Sequence, residues 1–415
     1  MKIGLVCPYN MFQRPGGVPH LIIHLAEGLR KRGHSVKIIT PRPTTYKGKV
    51  PEDYILLGSV RNFGGGFGTA GAWGSTFNVA EVKRTLEEEK FDIINFHEPW
   101  IPMIGWQILN YSKAAHVGTF HANLADNTAG KFWINTFYPI GKPMIEKLDI
   151  LTAPSKVPTV MLMAKANEGN QLHQFLMDNF TIIPNGVDLR KYRPPKSRQP
   201  LSGKNTKTIV YVGRLEKRKG VEYLLEAFNL LVKEMPNVHL VIAGKGGKQK
   251  ELEYIVEDNK TPNVSFSGFI TDEEKIRLFG NADLVCAPAM YGESFGIVLV
   301  EAMAMGAPII AGANLGFKSV MSGKGRIGLV DAQSADDFAN RMAVFLSVPE
   351  IEKMMRNWGI ATSKQYEYER VIKQYEATYK QAIKISNQRK IDRAEKKNDG
   401  RLKKIGRRLF VRRHA

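Results

Sequence analysis

The chain of 415 residues predicts an α/β protein of two doubly wound domains facing a cleft. Three features carry the prediction. Short apolar runs alternate with amphipathic stretches through both halves, as they do where parallel strands are joined by helices. Apolar runs of the first half end at Pro8-Tyr9, His97-Glu98 and His121, and doubly wound sheets bind their ligands at such strand ends. A turn near Ile183 and a Pro-, Lys- and Ser-rich stretch through Gly203 divide two alternating series that do not repeat one another.

In chain order, residues 3–7 form the first strand, and Gly16-Gly17 opens a helix whose apolar stripe is Leu21, Ile22, Leu25 and Leu29. Gly33 ends that helix, and residues 36–40 form the next strand. The glycine-rich residues 58–75 show no periodicity and read as a mobile surface loop. Strands follow at 91–97 and 115–121, then in the second series at 208–213, 238–243, 264–267, 283–287 and 307–311. Residues 365–386 read as a helix that packs back on the first domain. The predicted division is 1–184, 190–364 and a charged tail at 387–415.

An apolar content of 43% and a charged content of 24% are those of an ordinary globular protein. No apolar run reaches the length needed to span a bilayer, and the N-terminal run is too short for a signal peptide, so a cytoplasmic location is expected. Cys7 and Cys286 sit in separate apolar runs and read as reduced core residues. The net charge is +20, and residues 387–415 contribute twelve Lys/Arg against three Asp/Glu. Such a chain seeks nucleic acid, anionic lipid or phosphorylated small molecules, and charge alone does not choose among them.

The most informative stretch is Gly292-Glu293-Ser294-Phe295-Gly296-Ile297, which runs into an apolar helix carrying Glu301. Two glycines give the backbone room to approach a ligand, and helix amides suit an anion. Eight positions make a little over two helical turns, which predicts Glu293 and Glu301 on one face, one reaching each end of a bound molecule. Elsewhere such a pair is usually a solvated face; here it is embedded in apolar sequence. Gly213-Arg214-Leu215-Glu216-Lys217-Arg218-Lys219-Gly220 follows a strand, so Arg214 and Lys219 flank the mouth of the cleft. Fixed cations there stabilise a departing diphosphate without a metal. Pro15-Gly16-Gly17-Val18 is a weaker anion signal of the same kind. His121 closes its strand as a group able to orient a sugar or an acceptor, or as a satisfied, partly buried histidine. No zinc helix, D-x-D or Walker A loop is present in the sequence, and no metal site is expected.

Across about residues 1–385 the segments IGLVCPY, PGGV, LAEGLRKRGHSVKIIT, FDIINFHEP, GTFH, IPNGVD, YVGRLEKRKG and CAPAMYGESFGIVLVEAMAMG resemble the family 4 retaining glycosyltransferases of the GT-B fold. Within them the chain is most similar to the actinobacterial phosphatidylinositol alpha-mannosyltransferases. The resemblance implies an acceptor-side first domain and a second domain that binds a nucleotide sugar. By it Gly17, Arg214 and Lys219 hold the diphosphate, Glu293 takes sugar hydroxyls and Glu301 the ribose. Phe269 and Ile270 lie near the base, with Ser294, Phe295, Gly296 and Ile297 completing the donor side. His121 sits where sugar and acceptor meet, so the catalytic set implied is His121, Arg214, Lys219 and Glu293. On the acceptor side Tyr9 is kept, but Pro19 stands where the mannosyltransferases have Gln, and Trp100 where they have Asn.

The implied function is retaining transfer of a hexose, mannose from GDP-mannose, to a lipid such as phosphatidylinositol at the cytoplasmic membrane face. The nucleotide sugar is a co-substrate, and no cofactor or metal is called for. In the tail, Leu402, Ile405 and Leu409 share a helical face opposite several basic residues, a pattern suited to an anionic membrane surface. Nucleic acid is not the expected partner, since Phe410 and His414 alone offer stacking there. Two alternatives stand: a UDP-sugar-dependent glucosyl- or galactosyltransferase acting on diacylglycerol or a soluble acceptor, and a silent scaffold or nucleic-acid-binding protein of the same fold.

Overall fold

The computed structural model describes residues 1–12, 17–43, 46, 48–63, 71–75, 78–99, 104–122, 141–158 and 171–412. Pro15, Gly16 and Trp100 lie outside the described residues. Two parallel sheets, each covered by helices, form the two predicted domains.

The first sheet contains β1 (Lys2–Val6), β2 (Ser35–Arg42), β3 (Tyr54–Phe63), β4 (Gly71–Ser75), β5 (Ile93–His97), β6 (Ala115–Thr119), β7 (Ile150–Ala153) and β8 (Phe180–Ile182), in the spatial order β4-β3-β2-β1-β5-β6-β7-β8. β4 runs antiparallel to β3; the other pairings are parallel. The chain winds outward in both directions from β1 and β5, so a switch point falls between them and opens a crevice at their carboxyl ends. β5, β6 and β7 are buried at every position, as strands covered on both faces must be.

The second sheet contains β9 (Lys207–Val212), β10 (Val238–Ala243), β11 (Val264–Gly268), β12 (Leu284–Ala287), β13 (Ile309–Gly312) and β14 (Leu329–Val330), in the order β11-β10-β9-β12-β13-β14 and parallel throughout. Its switch point lies between β9 and β12. Among the described residues no helix is long and apolar enough to cross a membrane.

Two expectations need correction. Residues 58–75 are not simply a mobile loop: β3 and β4 form an antiparallel ladder with Ser59 opposite Ser75. Ladder bonds are made by backbone, so glycine permits them while erasing the side-chain alternation that announces a strand. Nor does the last helix end at residue 386. A 3-10 turn at Lys364–Tyr366 leads into one helix, Tyr368–Arg412, which continues through the tail. Residues 387–399 contain neither glycine nor proline to stop it.

This C-terminal helix crosses back to the first domain. Val371, Ile372, Tyr375, Tyr379 and Ala382 are buried with Leu5, Leu25 and Leu29. Arg32 donates to Glu376 at 2.6 Å and to Glu369 at 3.1 Å. Beneath the sheet, Asn95 donates to the Tyr379 hydroxyl at 2.8 Å and accepts from Thr119 at 2.8 Å, and Thr119 shares a 2.8 Å bond with Thr152. At its far end Arg389 reaches Leu148 O and Asp149, while Lys390 donates to Lys113 O. Tyr379→Phe would leave the buried Asn95 amide without its acceptor. A loss of about 1–2 kcal/mol is expected, read as a lowered Tm in calorimetry; an unchanged Tm would show that this network does not anchor the helix.

Candidate active site

The second domain's half of the site forms where the loops after β9 and β12 meet. The backbone amide of Met290 donates to Arg218 O at 3.0 Å, tying the loops together. Lys219 Nζ and Arg218 Nη1 then converge on one oxygen, Glu293 Oε1, at 2.7 and 2.8 Å. Arg218 also bonds Glu216, and Glu216 pairs with the more exposed Arg214 at 2.7 Å. Burial alone would raise the Glu293 carboxyl; the Lys219 and Arg218 cations reverse this and hold it below its ordinary value. Burial lowers the Lys219 ammonium, and Glu293 opposes the fall.

Backbone geometry fixes this turn. Gly296 caps the helix Ile297–Ala304 at φ 108°, where a side chain would be strained, and a Cβ there would lie 2.7 Å from the Phe317 ring. A Cβ at Gly316 would lie 2.2 Å from Glu293 O, so only glycine lets that neighbouring turn back the carboxylate's own backbone. The helix starts at Ile297, so Glu293 and Glu301 do not share a helical face: Glu293 lies in the preceding turn and Glu301 on the helix. Lys275 Nζ pairs with Glu301 Oε1 at 2.7 Å.

The first domain's half gathers at the carboxyl ends of β1, β5 and β6. His97 Nδ1 and His121 Nε2 are 2.9 Å apart with rings 6° from parallel. One nitrogen donates and the other accepts, so this bond forms with both rings neutral, while His97 Nε2 is buried without a hydrogen-bond partner among the described residues. Burial drives His121 down to about 3, and burial and then His121 hold His97 well below its ordinary range. Glu98, at φ 53°, accepts from the His121 amide at 2.9 Å. Burial nevertheless pushes its carboxyl up to about 7, the amides of His121 and Ala122 opposing. Burial and then the Glu98 charge raise the Tyr9 hydroxyl well above its ordinary value.

One hydrogen bond joins the halves directly: Ser155 Oγ, in the loop after β7, donates to Ser294 O at 2.5 Å. The structure therefore brings Lys219 and Glu293 together and Tyr9 near Glu98 and His121. It leaves Arg214 on Glu216 and Glu301 on Lys275. Phe269 is 72% exposed beside the half-buried Ile270. Gly17 is exposed at the start of the helix Gly17–Lys31, with open space where a Cβ would stand. The Phe295 ring is buried edge-on against Tyr366, so only its backbone is left to reach a donor. Pro19 is likewise buried in its helix and offers an acceptor no exposed surface. Ser294 and Ile297 are half-buried in the turn. Glu98 was marked from sequence only as a strand end; Arg218, Lys275 and Ser155 were not singled out, the basic run around Lys219 being a signal for the first and Ser155 having none. Among the described residues no three His, Cys, Asp or Glu side chains gather as metal ligands.

Two Rossmann-like domains with paired acids and cations at facing switch points define a GT-B glycosyltransferase. The description "Glycosyl transferases group 1" matches residues 193–365, and "Glycosyltransferase Family 4" matches residues 15–191. The phosphatidyl-myo-inositol mannosyltransferase of Mycolicibacterium smegmatis is 32% identical over 345 residues, 82% of this chain and 83% of its own. That of Propionibacterium freudenreichii is 29% identical, over 91% of this chain and 94% of its own. The chain belongs to this glycosyltransferase family. The fold matches sucrose-phosphate synthase from Thermosynechococcus elongatus at a TM-score of 0.72 and 20% identity, covering 92% of this chain and 98% of that one. An Anabaena protein solved with UDP and glucose matches at 0.71 and 20% identity, covering 91% and 99%.

Glu98 makes stability depend on pH. Its folded value of about 7 lies above the ordinary 4.5, so the contribution is full below about 4.5 and lost as pH rises through about 7. Glu98→Gln keeps an acceptor oxygen without the charge. The Tm of this variant relative to the native protein is expected to climb between pH 5 and 8, by an amount worth roughly 3 kcal/mol at most. A pH-independent difference would place the Glu98 carboxyl in water.

Proposed function

We propose that this glycosyltransferase moves a hexose, mannose from GDP-mannose, to a lipid acceptor such as phosphatidylinositol, with retention and without a metal, on the cytoplasmic membrane face. The observation that carries the reading is the convergence of Lys219 and Arg218 within 2.8 Å of Glu293 Oε1, in a turn that Ser155 of the first domain bonds through Ser294 O. As the glycosidic bond breaks, charge grows on the diphosphate, and Arg214, Arg218 and Lys219 supply fixed positive charge where a metal serves in other enzymes. Glu293 accepts from sugar hydroxyls as the ring gains oxocarbenium character, and Glu301 accepts from the ribose. His121, held neutral, orients sugar and acceptor at the junction. Retention follows from attack on the face that the phosphate leaves, with a phosphate oxygen taking the acceptor's proton. The lipid acceptor rests on the names of the relatives.

A second reading is favoured by the acceptor side. Pro19 is buried and carries no polar group for an inositol phosphate, which supports a different lipid acceptor. Thermal shifts with GDP-mannose, UDP-glucose and ADP-glucose identify the donor, because a ligand stabilises according to its own affinity. GDP-mannose is expected to give the largest shift, and turnover is expected to survive EDTA. Glu293→Gln is expected to stay folded, retain GDP binding and lose on the order of 100-fold in kcat. Silence toward every nucleotide sugar, or activity restored only by Mg²⁺, would overturn the proposal.

The tail is proposed as the contact with anionic lipid. Arg389 and Lys390 belong to the packed helix, so the informative truncation removes residues 397–415, with eight Lys/Arg and one Asp. Each basic residue near an anionic surface contributes about 1 kcal/mol, so liposome binding is expected to weaken clearly. Turnover with a detergent-dispersed acceptor is expected to hold. Unaltered binding to anionic liposomes, or tight RNA binding lost with the tail, would refute the assignment.

A further inference from the structure

We infer that Glu293 is an internal placeholder for the donor's diphosphate: in the free enzyme it occupies the cations the diphosphate must take, and it releases them to a nucleotide that brings a sugar more readily than to the bare diphosphate. The inference rests on the nucleotide-sugar reading above and adds to it a basis for discrimination between donor and product.

The geometry supplies the reasoning. Lys219 and Arg218 both spend a hydrogen bond on the same oxygen, Glu293 Oε1, at 2.7 and 2.8 Å. All three side chains are at most 16% exposed, so the pair sits where solvent screens it poorly. An incoming diphosphate carries like charge to Glu293 and competes for the same donors. To admit it, the carboxylate must give up two charge-assisted bonds, a costly loss for a little-exposed carboxylate.

The Glu293 backbone is hemmed in. Gly316 packs directly behind its carbonyl, and Ser155 holds the carbonyl of the next residue from the other domain. The exchange is therefore a swing of the side chain within a fixed turn. What the carboxylate meets on leaving the cations decides the balance. A sugar on the diphosphate presents hydroxyl donors, which replace the lost bonds. A bare nucleoside diphosphate presents none, so the carboxylate remains its competitor. The bare diphosphate also carries about one more negative charge than the donor, which sharpens its repulsion of Glu293, and the carboxylate that admits the donor returns to the cations as the product leaves.

The test is titration calorimetry on the full-length protein with inorganic pyrophosphate, GDP and GDP-mannose. The variants are Glu293→Gln, Glu293→Asp and, as a control of equal charge change, Glu222→Gln. Glu222 makes no ion pair with Lys219, although it lies three residues along. Glu293→Gln is expected to bind pyrophosphate and GDP on the order of tenfold more tightly than the native protein, and GDP-mannose more weakly. Glu293→Asp keeps the charge but draws it back, and is expected to tighten pyrophosphate and GDP to a smaller degree. Glu222→Gln is expected to leave all three unchanged. Pyrophosphate and GDP bound no more tightly by either Glu293 variant would overturn the inference, as would equal tightening in Glu222→Gln. Pyrophosphate makes this failure distinct from failure of the functional reading: tightening of pyrophosphate with no binding of any nucleotide sugar would uphold the placeholder and remove the proposed donor.

Discussion

Two cations and a carboxylate at the β9/β12 switch point set the terms for the second domain. Lys219 and Arg218 are drawn out of water by the loops that carry them, and each would be costly there without a counter-ion. Glu293 meets that need only if its turn is held within hydrogen-bonding reach. The surrounding features follow from this requirement. Parallel pairing of β12 with β9 brings the two loops to one edge, with Val285 opposite Val210. The Met290 amide ties the second loop to Arg218 O. Gly296 turns the chain through a conformation other residues resist, and Gly316 allows one turn to lie against the other.

The first domain meets this centre with a different kind of electrostatics. Its strand ends carry neutral or proton-sharing groups: two stacked histidines that share one hydrogen bond, and a buried glutamic acid that titrates near neutrality. Excess positive charge on one side of the crevice and near-neutral polar groups on the other match a reaction that separates an anionic leaving group from an uncharged hydroxyl. Ser155 bonds to Ser294 across the gap, so the position of the Glu293 turn is tied to the loop after β7. The C-terminal helix makes a second tie. It starts at the Val187–Glu367 bridge, where the chain leaves the second domain, and locks under β5, β6 and β7 through Tyr375, Tyr379 and Asn95.

The sequence revealed most of what periodicity and strand-end chemistry encode. The long apolar strands, the helix on Leu21 to Leu29, the two-sheet architecture and the separate candidacies of Lys219 and Glu293 were visible because each leaves a local pattern; the pairing of those two side chains, 74 positions apart, was not. What was missed depends on distant partners. β8 and β14 have three residues or fewer, too short for a period to show. β3 and β4 hide behind glycines that carry no alternation. Ser155 and Lys275 are ordinary residues until folding sets them against Ser294 and Glu301, which are 139 and 26 positions away. Glu293 and Glu301 misled in the opposite direction: their spacing suits one helix, but Gly296 starts the helix between them.

The path of the last helix bears on how the proposed membrane contact and the cleft work together. Arg389 and Lys390 bind residues just before β7 and β6, at the amino ends of those strands. His97, Glu98 and His121 lie at the carboxyl ends. Eight extended residues separate Lys113 from His121, roughly 26 Å of chain, and the tail helix leaves the body on the side away from the crevice. A lipid surface held by the tail therefore does not press the acceptor into the cleft. On the proposed reading the tail keeps the enzyme near its lipid, while Tyr9, Glu98 and His121 stand at the strand ends where the acceptor would be recognised. Among the described side chains, Arg389 and Lys390 make the last hydrogen bonds of this helix with the first domain, and the proposed anchoring charge follows them in the chain. The cations after β9 are bound more closely to their surroundings: Lys219 and Arg218 are held against Glu293 of the neighbouring loop, and Arg214 against Glu216 of their own.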